Sequence, residues 1–132
     1  MPIVVDVSVM ACWHFDQERN DRADAILLRL RNDEAAVPAL WWFEMRNVLL
    51  QGERRNRTTP QQTRAFLDFL RQIPISVTPL PDENAVMELA RRHRLSFYDA
   101  AYLELARREN LPLATFDRDL IGAAGAEGVL LV

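Results

Sequence analysis

The stretch 95–120, LSFYDAAYLELARRENLPLATFDRDL, decides the fold of this chain. Ser96 suits a helix N-cap, and apolar side chains recur after it at helical spacing, which predicts a helix over 97–109. Residues 111–116 form a short apolar run between two turn formers, which favours a buried strand. Asp117 follows that strand directly. It therefore lies at the sheet edge where open α/β folds bind their ligands.

Length and composition describe one ordinary domain. The chain has 132 residues, a formal net charge of -3, 49% hydrophobic residues and 27% charged residues. These values exclude disordered, collagen-like and membrane-spanning classes. The first residues lack the basic segment of a signal peptide, so we expect a cytoplasmic protein without membrane contact. The lone Cys12 is predicted to be a small buried side chain, and His14 and His93 are predicted to be surface residues.

All 16 basic residues are arginines. Mechanisms that need a phosphate-binding or Schiff-base lysine, such as that of the P-loop NTPases, are therefore excluded. The acidic net charge argues against broad attraction to nucleic acid. Any RNA contact must come from local arginines and from metal ions that offset the carboxylates.

The order of predicted elements defines the fold class. Strands are predicted at 2–9, 35–38, 73–80, 111–116 and 129–132. Helices are predicted at 16–32, 39–55, 60–71, 83–93, 97–109 and 119–124. This alternation predicts an α/β protein with a central parallel sheet between two helical layers, a three-layer α/β/α sandwich in a single domain over 1–132.

Four acids are predicted to meet at one edge of that sheet. Asp6, Asp99 and Asp117 each lie at a strand end or a helix start, and Glu44 lies on an otherwise apolar helix. Such carboxylates repel one another unless divalent cations lie among them. Oxygen ligands favour magnesium or manganese, and the site suits phosphodiester hydrolysis.

Each acid also has a purely structural interpretation. Asp6 and Asp117 can cap the helical turns that follow them, and Asp99 can complete a capping box with Ser96. Glu44 can form an ion pair with an arginine such as Arg46. Only the four acids together make the site hypothesis strong.

Four motifs resemble a known family. They are VVDVS at 4–8, FEMRNVL at 43–49, LSFYDAAYLELA at 95–106 and LATFDRDL at 113–120. In this order and spacing the chain resembles the PIN domain family, specifically its VapC-like ribonuclease toxins. The resemblance implies a Mg²⁺- or Mn²⁺-dependent endoribonuclease, which hydrolyses RNA with a metal-activated water. It also implies a homodimer that a cognate antitoxin protein inhibits.

The resemblance assigns roles to individual residues. Asp6, Glu44, Asp99 and Asp117 match the four catalytic, metal-binding acids of the family. We expect four further residues to contact and orient these acids without binding the metal themselves, namely Ser8, Thr115, Asn47 and Asp119. Possible contacts to RNA or antitoxin are Arg46, Arg118, Trp41 and Trp42.

Other readings of the acids remain to be weighed. A phosphotransfer receiver needs a late lysine, and this chain has no lysine. A haloacid-dehalogenase-like phosphatase needs paired aspartates after its first strand, where this chain has Asp6-Val7-Ser8. Both alternatives are therefore less favoured than the nuclease. The alternative from another class is a non-catalytic PIN-like module that binds RNA or protein, in which the acids serve only as caps.

Overall fold

A four-stranded parallel sheet forms the centre of the computed structural model, which describes residues 1–132. The strands are β1 (Ile3–Val5), β2 (Ala35–Val37), β3 (Ile75–Val77) and β4 (Leu113–Ala114). Their order is β3-β2-β1-β4, and every pair is parallel. Residues of β1, β2 and β4 are buried, as expected for a sheet covered on both faces, whereas β3 lies at an edge as its flanking prolines predicted.

Seven helices cover the sheet. They are α1 (Val7–Cys12), α2 (Asp21–Arg29), α3 (Leu40–Arg54), α4 (Pro60–Leu70), α5 (Glu83–His93), α6 (Phe97–Glu109) and α7 (Arg118–Ala126). Side-chain caps set the start of most of them, as Ser96 does for α6 by accepting a hydrogen bond from the Asp99 amide at 3.0 Å. Asn110 ends α6 in the left-handed conformation at φ 55°.

Helix α6 is the central helix of its layer. It contacts α5, α7, β1 and β4, and every residue from 100 to 106 is buried. On the other side of the molecule α1 contacts α2 and α3. The predicted α/β/α fold class is therefore confirmed. None of the helices combines the length and the apolar composition that a membrane crossing requires.

Several predicted elements were wrong in extent, and two of them are the strands predicted at 73–80 and 111–116, which are observed only at Ile75–Val77 and Leu113–Ala114. The first strand ends at Val5, and α1 follows at once, although its β-branched and apolar residues read as more strand. The long helix over 16–32 is a 3₁₀ turn at Asp16–Glu18 followed by α2. The last predicted strand contributes only one bridge, between Leu113 and Leu131.

Candidate active site

The first acid, Asp6, follows β1 directly and is the N-cap residue of α1. It is only 4% exposed. Two hydroxyls donate to its Oδ2 atom, from Ser8 Oγ at 2.9 Å and from Thr115 Oγ1 at 2.7 Å. Both hydroxyls bind the same oxygen, so Oδ1 is not engaged by either of them. The carboxylate is thus oriented by two neutral groups, with no arginine in contact.

The same two hydroxyls also hold the next element. Ser8 Oγ accepts the amide of Phe116 at 3.1 Å, and Thr115 Oγ1 accepts the amide of Asp117 at 3.1 Å. The end of β1 is therefore tied to the end of β4 through Asp6. Ser8 and Thr115 therefore both contact Asp6, and Thr115 also fixes the backbone of Asp117 relative to Asp6; their support of a metal-binding acid stays a prediction.

Asp117 is also the N-cap of α7. Its Oδ1 atom accepts the amide of Leu120 at 2.9 Å, so the structural interpretation of this residue holds in part. Its charge nevertheless acts on both neighbouring aspartates, because it raises the pKa of Asp6 and of Asp99. Capping occupies one carboxylate oxygen and leaves the other for a different partner.

Glu44 lies on α3 and faces the other acids. Its Oε1 atom accepts a 2.7 Å hydrogen bond from the hydroxyl of Tyr102. No arginine forms an ion pair with Glu44, so the interpretation as an intrahelical pair with Arg46 was wrong; the Arg46 guanidinium instead stacks over Trp42 at 3.9 Å and donates to the Trp42 carbonyl. In the sequence Tyr102 reads as one of the apolar residues of the predicted helix over 97–109, because nothing there shows a partner 58 positions away.

Mutual repulsion joins these acids into one electrostatic unit. Burial, followed by the charges of Asp6 and Asp99, raises the pKa of Glu44 to about 7, against the lowering effect of the Tyr102 hydrogen bond. Burial, followed by the charges of Asp117, Asp6 and Asp119, raises the pKa of Asp99 to about 6. Burial also raises the pKa of Asp6. Asp6, Glu44 and Asp99 therefore hold their protons more tightly than in water, which is the condition a bound cation would relieve.

The oxygen-only donors at this edge match the chemistry of a hard divalent cation. As the side chains stand, no three acidic, histidine or cysteine groups are close enough together to hold a metal ion. By its chemistry the donor set fits magnesium or manganese.

Three of the remaining predicted site residues are exposed and lie near the acids. Asp119 is exposed but close enough to act on Asp99, and Asn47 is exposed one turn from Glu44, in the same surface hollow as Tyr98. Arg118 is exposed at the first position of α7, beside Asp117.

The aromatic pair on α3 divides between the core and the surface. Trp42 is 47% exposed, whereas Trp41 is 5% exposed and donates to the sulfur of Met10. Trp41 was therefore wrongly predicted as a contact residue. It shares the buried face of α3 with Met45 and Leu49, at spacings of four and eight.

Two other predictions concern residues away from the acids. Cys12 is buried as predicted, at 8% exposure. The histidines are not surface residues: His14 contacts the Thr58 hydroxyl, and His93 contacts Glu127. Each is half-buried and held by one polar partner, so neither is available as a metal ligand with a second histidine.

The fold defines an α/β/α sandwich with acids at one edge of its parallel sheet, and comparison with known proteins gives the family. The PIN domain model matches residues 3–126, so the chain belongs to the PIN domain family. Ribonuclease VapC3 of Mycobacterium tuberculosis is 32% identical over 121 residues, which cover 92% of this chain and 86% of that protein. Ribonuclease VapC1 of the same species is 31% identical over 105 residues, 78% of this chain and 79% of that protein.

Solved structures show the same fold. PAE2754 from Pyrobaculum aerophilum superposes with a TM-score of 0.64 at 24% identity, over 93% of this chain and 87% of that one. VapBC2 from Rickettsia felis, bound to a DNA fragment from their promoter, superposes with a TM-score of 0.68 at 15% identity, over 100% and 98% of the two chains. The family resemblance drawn from the four motifs is confirmed.

Proposed function

We propose that this protein is a metal-dependent endoribonuclease whose site is formed by Asp6, Glu44, Asp99 and Asp117. One observation carries the proposal: burial and the charges of neighbouring acids raise the pKa of Asp6, Glu44 and Asp99, and no cationic side chain forms an ion pair with these acids or with Asp117. Relatives about 30% identical are named as ribonucleases, which supports RNA as the substrate.

Magnesium or manganese is the cation that these residues suit. Asp6, Asp99, Asp117 and Glu44 would hold it, and when bound it would lower the pKa of a water molecule and stabilise charge on the phosphate. Ser8 and Thr115 keep the Asp6 carboxylate aligned for that role by fixing its Oδ2 atom.

Cleavage of a labelled mixed-sequence RNA tests the proposal. The wild-type chain is assayed with Mn²⁺, with Mg²⁺ and with chelator, beside Asp6→Asn and Asp99→Asn. Glu34→Gln is the matched control, since Glu34 is an exposed acid directly before β2, at the opposite end of the parallel strands from the site. We expect cleavage that needs the metal and both site acids but not Glu34.

A thermal-unfolding arm separates catalysis from the alternative of a non-catalytic module. If the acids bind metal, Mg²⁺ or Mn²⁺ raises the unfolding midpoint of the wild-type chain by mass action and does so less for Asp99→Asn. A folded wild-type chain that cuts no RNA and gains no stability from either ion contradicts the nuclease proposal. It would leave the acids as caps in a module that binds RNA or protein.

We further infer that the nuclease acts as the toxin of a toxin–antitoxin pair, as a homodimer that a cognate antitoxin protein inhibits. The resemblance to VapC-like toxins supports this, together with exposed aromatic side chains on α3. Trp42 and Phe43, the latter 69% exposed, meet edge to face with ring centroids 5.1 Å apart. Such an exposed aromatic pair is typical of a protein interface.

Expression in a bacterial host tests the toxin role. The wild-type chain should arrest growth, whereas Asp6→Asn, at equal protein level, should not. Sedimentation of the purified chain tests the homodimer, and a sedimentation coefficient of a 15.2 kDa monomer at all concentrations would contradict it. Growth arrest that persists in Asp6→Asn would show that toxicity does not depend on the acidic site.

A further inference from the structure

A polar hollow lies beside the acidic site, between α1 and α3. Its volume is about 270 Å³, and its polar walls are formed by Ser8, Glu18, Gln51, Arg55 and Arg57. Ser8 connects the two regions directly, because the hydroxyl that lines the hollow also donates to Asp6. The hollow therefore adjoins the predicted catalytic edge, with Ser8 between the two.

The α3 wall of the hollow runs in line with Glu44. Val48, Gln51 and Arg55 follow Glu44 at four, seven and eleven positions, which is one face of a helix. At 1.5 Å per residue, Arg55 lies about 16 Å along α3 from Glu44. The hollow therefore lies along the same face of α3 as Glu44.

Arg57 is held in place by an unusual stack. Its guanidinium lies over the ring of Phe15 at 4.6 Å, and Phe15 is itself 2% exposed. The ring packs so closely on Gly52 that a Cβ there would be 2.6 Å from a ring carbon. Glycine at position 52 therefore allows the ring, and with it the arginine, to approach α3. Such packing fixes the orientation of a side chain that is usually mobile.

One end of this guanidinium remains open. Arg57 Nη2 donates to Glu18 at 2.6 Å, while Nε and Nη1 make no hydrogen bond. Arg55, on the same wall, is exposed and forms no ion pair. A fixed arginine with free donors beside a second free arginine matches a phosphate group in charge and geometry.

We propose that Arg55 and Arg57 form a phosphate subsite for the backbone of single-stranded RNA that extends from the acidic edge through this hollow. The inference rests on the proposed ribonuclease function, and it adds where the substrate strand runs. Contacts to phosphates position a strand without reading its sequence. The subsite should therefore act alike on different RNA sequences and weaken as salt rises.

Equilibrium binding tests the subsite independently of cleavage. Labelled single-stranded 12-nucleotide RNA of mixed sequence is titrated with the chain carrying Asp99→Asn, in Mg²⁺, over a series of salt concentrations. In this background Arg57→Ala and Arg55→Ala should each weaken binding about five- to tenfold, with the slope of log affinity against log salt reduced by about 0.7. Arg31→Ala, an exposed unpaired arginine after α2, is the matched control and should change neither value.

A substitution with the opposite expected sign separates a phosphate contact from a structural role. Glu18→Gln keeps an oxygen for Arg57 Nη2 but removes the neighbouring negative charge, so RNA binding should tighten about two- to threefold. A merely structural ion pair would give weaker or unchanged binding. If Arg57→Ala does not fold, Arg55→Ala and Glu18→Gln still decide, since neither removes a buried contact.

The outcomes distinguish the subsite from the function on which it rests. Wild-type protein that cuts no RNA contradicts the ribonuclease proposal. If Arg55→Ala and Arg57→Ala bind RNA with the affinity and the salt slope of the parent chain, the subsite is overturned and the ribonuclease proposal is not. The other contrary result is a labelled acidic peptide that binds the wild-type chain and binds Arg55→Ala and Arg57→Ala more weakly, while RNA binding does not depend on these arginines. That result would assign the hollow to a protein partner instead.

Discussion

Two glutamates of this chain, Glu44 and Glu127, show how differently one fold treats a buried acid. Glu127, whose side chain is 9% exposed, is hydrogen-bonded to His93 and ion-paired with Arg92 and Arg107, and these partners lower its pKa. Glu44 has only the Tyr102 hydroxyl and neighbouring carboxylates, and its pKa is raised to about 7.

This difference indicates that Glu127 is the structural acid of the two. The charge of Glu127 is compensated by side chains from the ends of α5 and α6, so it ties those helices to the segment after α7. The charge of Glu44 is compensated by nothing in the chain. An acid left uncompensated at high cost is a candidate for an external cation, which is the reason to place the chemistry at the sheet edge rather than at the Glu127 cluster.

The largest expected effect is the loss of activity in Asp6→Asn. Removing a metal-binding carboxylate should reduce kcat/KM for RNA by more than about 100-fold, since even partners behind such ligands cost 10- to 100-fold. Cleavage of a fixed RNA by purified, folded variants measures this. Glu127→Gln is the control from the other cluster and should cut at the wild-type rate. Equal losses in both variants would erase the distinction between the clusters.

The next effect concerns the support of Asp6. Thr115→Val is nearly isosteric and removes the hydroxyl that donates to Asp6 and accepts from the Asp117 amide. We expect activity to fall about 10- to 100-fold, through loss of carboxylate orientation. Thr63→Val, which removes the hydroxyl that donates to Glu53 between α3 and α4, is the matched control. A Thr115→Val enzyme with wild-type kcat/KM would show that the hydroxyl network only holds the fold.

These residues also mark how far the sequence predicts the molecule. Local signals sufficed for α6, because Ser96 and Asn110 define its ends by their own backbone preferences. They also placed Asp6 and Asp117 after neighbouring strands, because parallel topology brings such strand ends together, whereas the metal-binding role of the four acids stays a prediction. The element after Asp6 was missed, since Val7 and Val9 have strand propensity and only packing of α1 against α3 makes them helical.

Contacts between distant residues were beyond local signals. Tyr102 looks like any aromatic on a buried helix until its hydroxyl meets Glu44 across the fold. Likewise, the segment Arg54-Arg55-Asn56-Arg57 reads as a solvated helix end. Only the stack of Phe15 on Gly52 shows that Arg57 is held in place. Such pairings depend on tertiary packing, which no short stretch encodes.

A smaller effect should appear in the stability of Glu127→Gln. Loss of the acid leaves Arg92 and Arg107 without their partner, and both arginines are about half exposed, so the cost should be about 1–2 kcal/mol. Chemical denaturation at pH 7 measures it. Folding lowers the pKa of Glu127. Its contribution to the free energy of unfolding is therefore fully present above the pKa of the unfolded state, and it disappears as pH falls through the pKa of the folded state. Wild type and Glu127→Gln should therefore converge in acid.

The smallest effect has the opposite pH dependence, and it comes from the acidic site of the metal-free protein. The pKa of Glu44 rises from 4.5 to about 7 on folding and that of Asp99 from 3.8 to about 6, so the folded state binds more protons than the unfolded state. The stability that these groups contribute is full below pH 4 and is lost as pH rises toward 7. Because both side chains are half exposed, we expect about 1 kcal/mol in all.

Chemical denaturation in chelator at pH 5 and pH 7 measures this loss against Glu44→Gln. The glutamine cannot ionise, so the variant should lose less stability than wild type across the interval, and at pH 7 it should be the more stable of the two. The site acid would thus lower stability where the Glu127 cluster raises it. A wild-type chain that becomes more stable from pH 5 to pH 7, with Glu44→Gln following in parallel, would mean that Glu44 is already compensated within the fold. It would then resemble Glu127, and the physical argument for a cation at the sheet edge would fail.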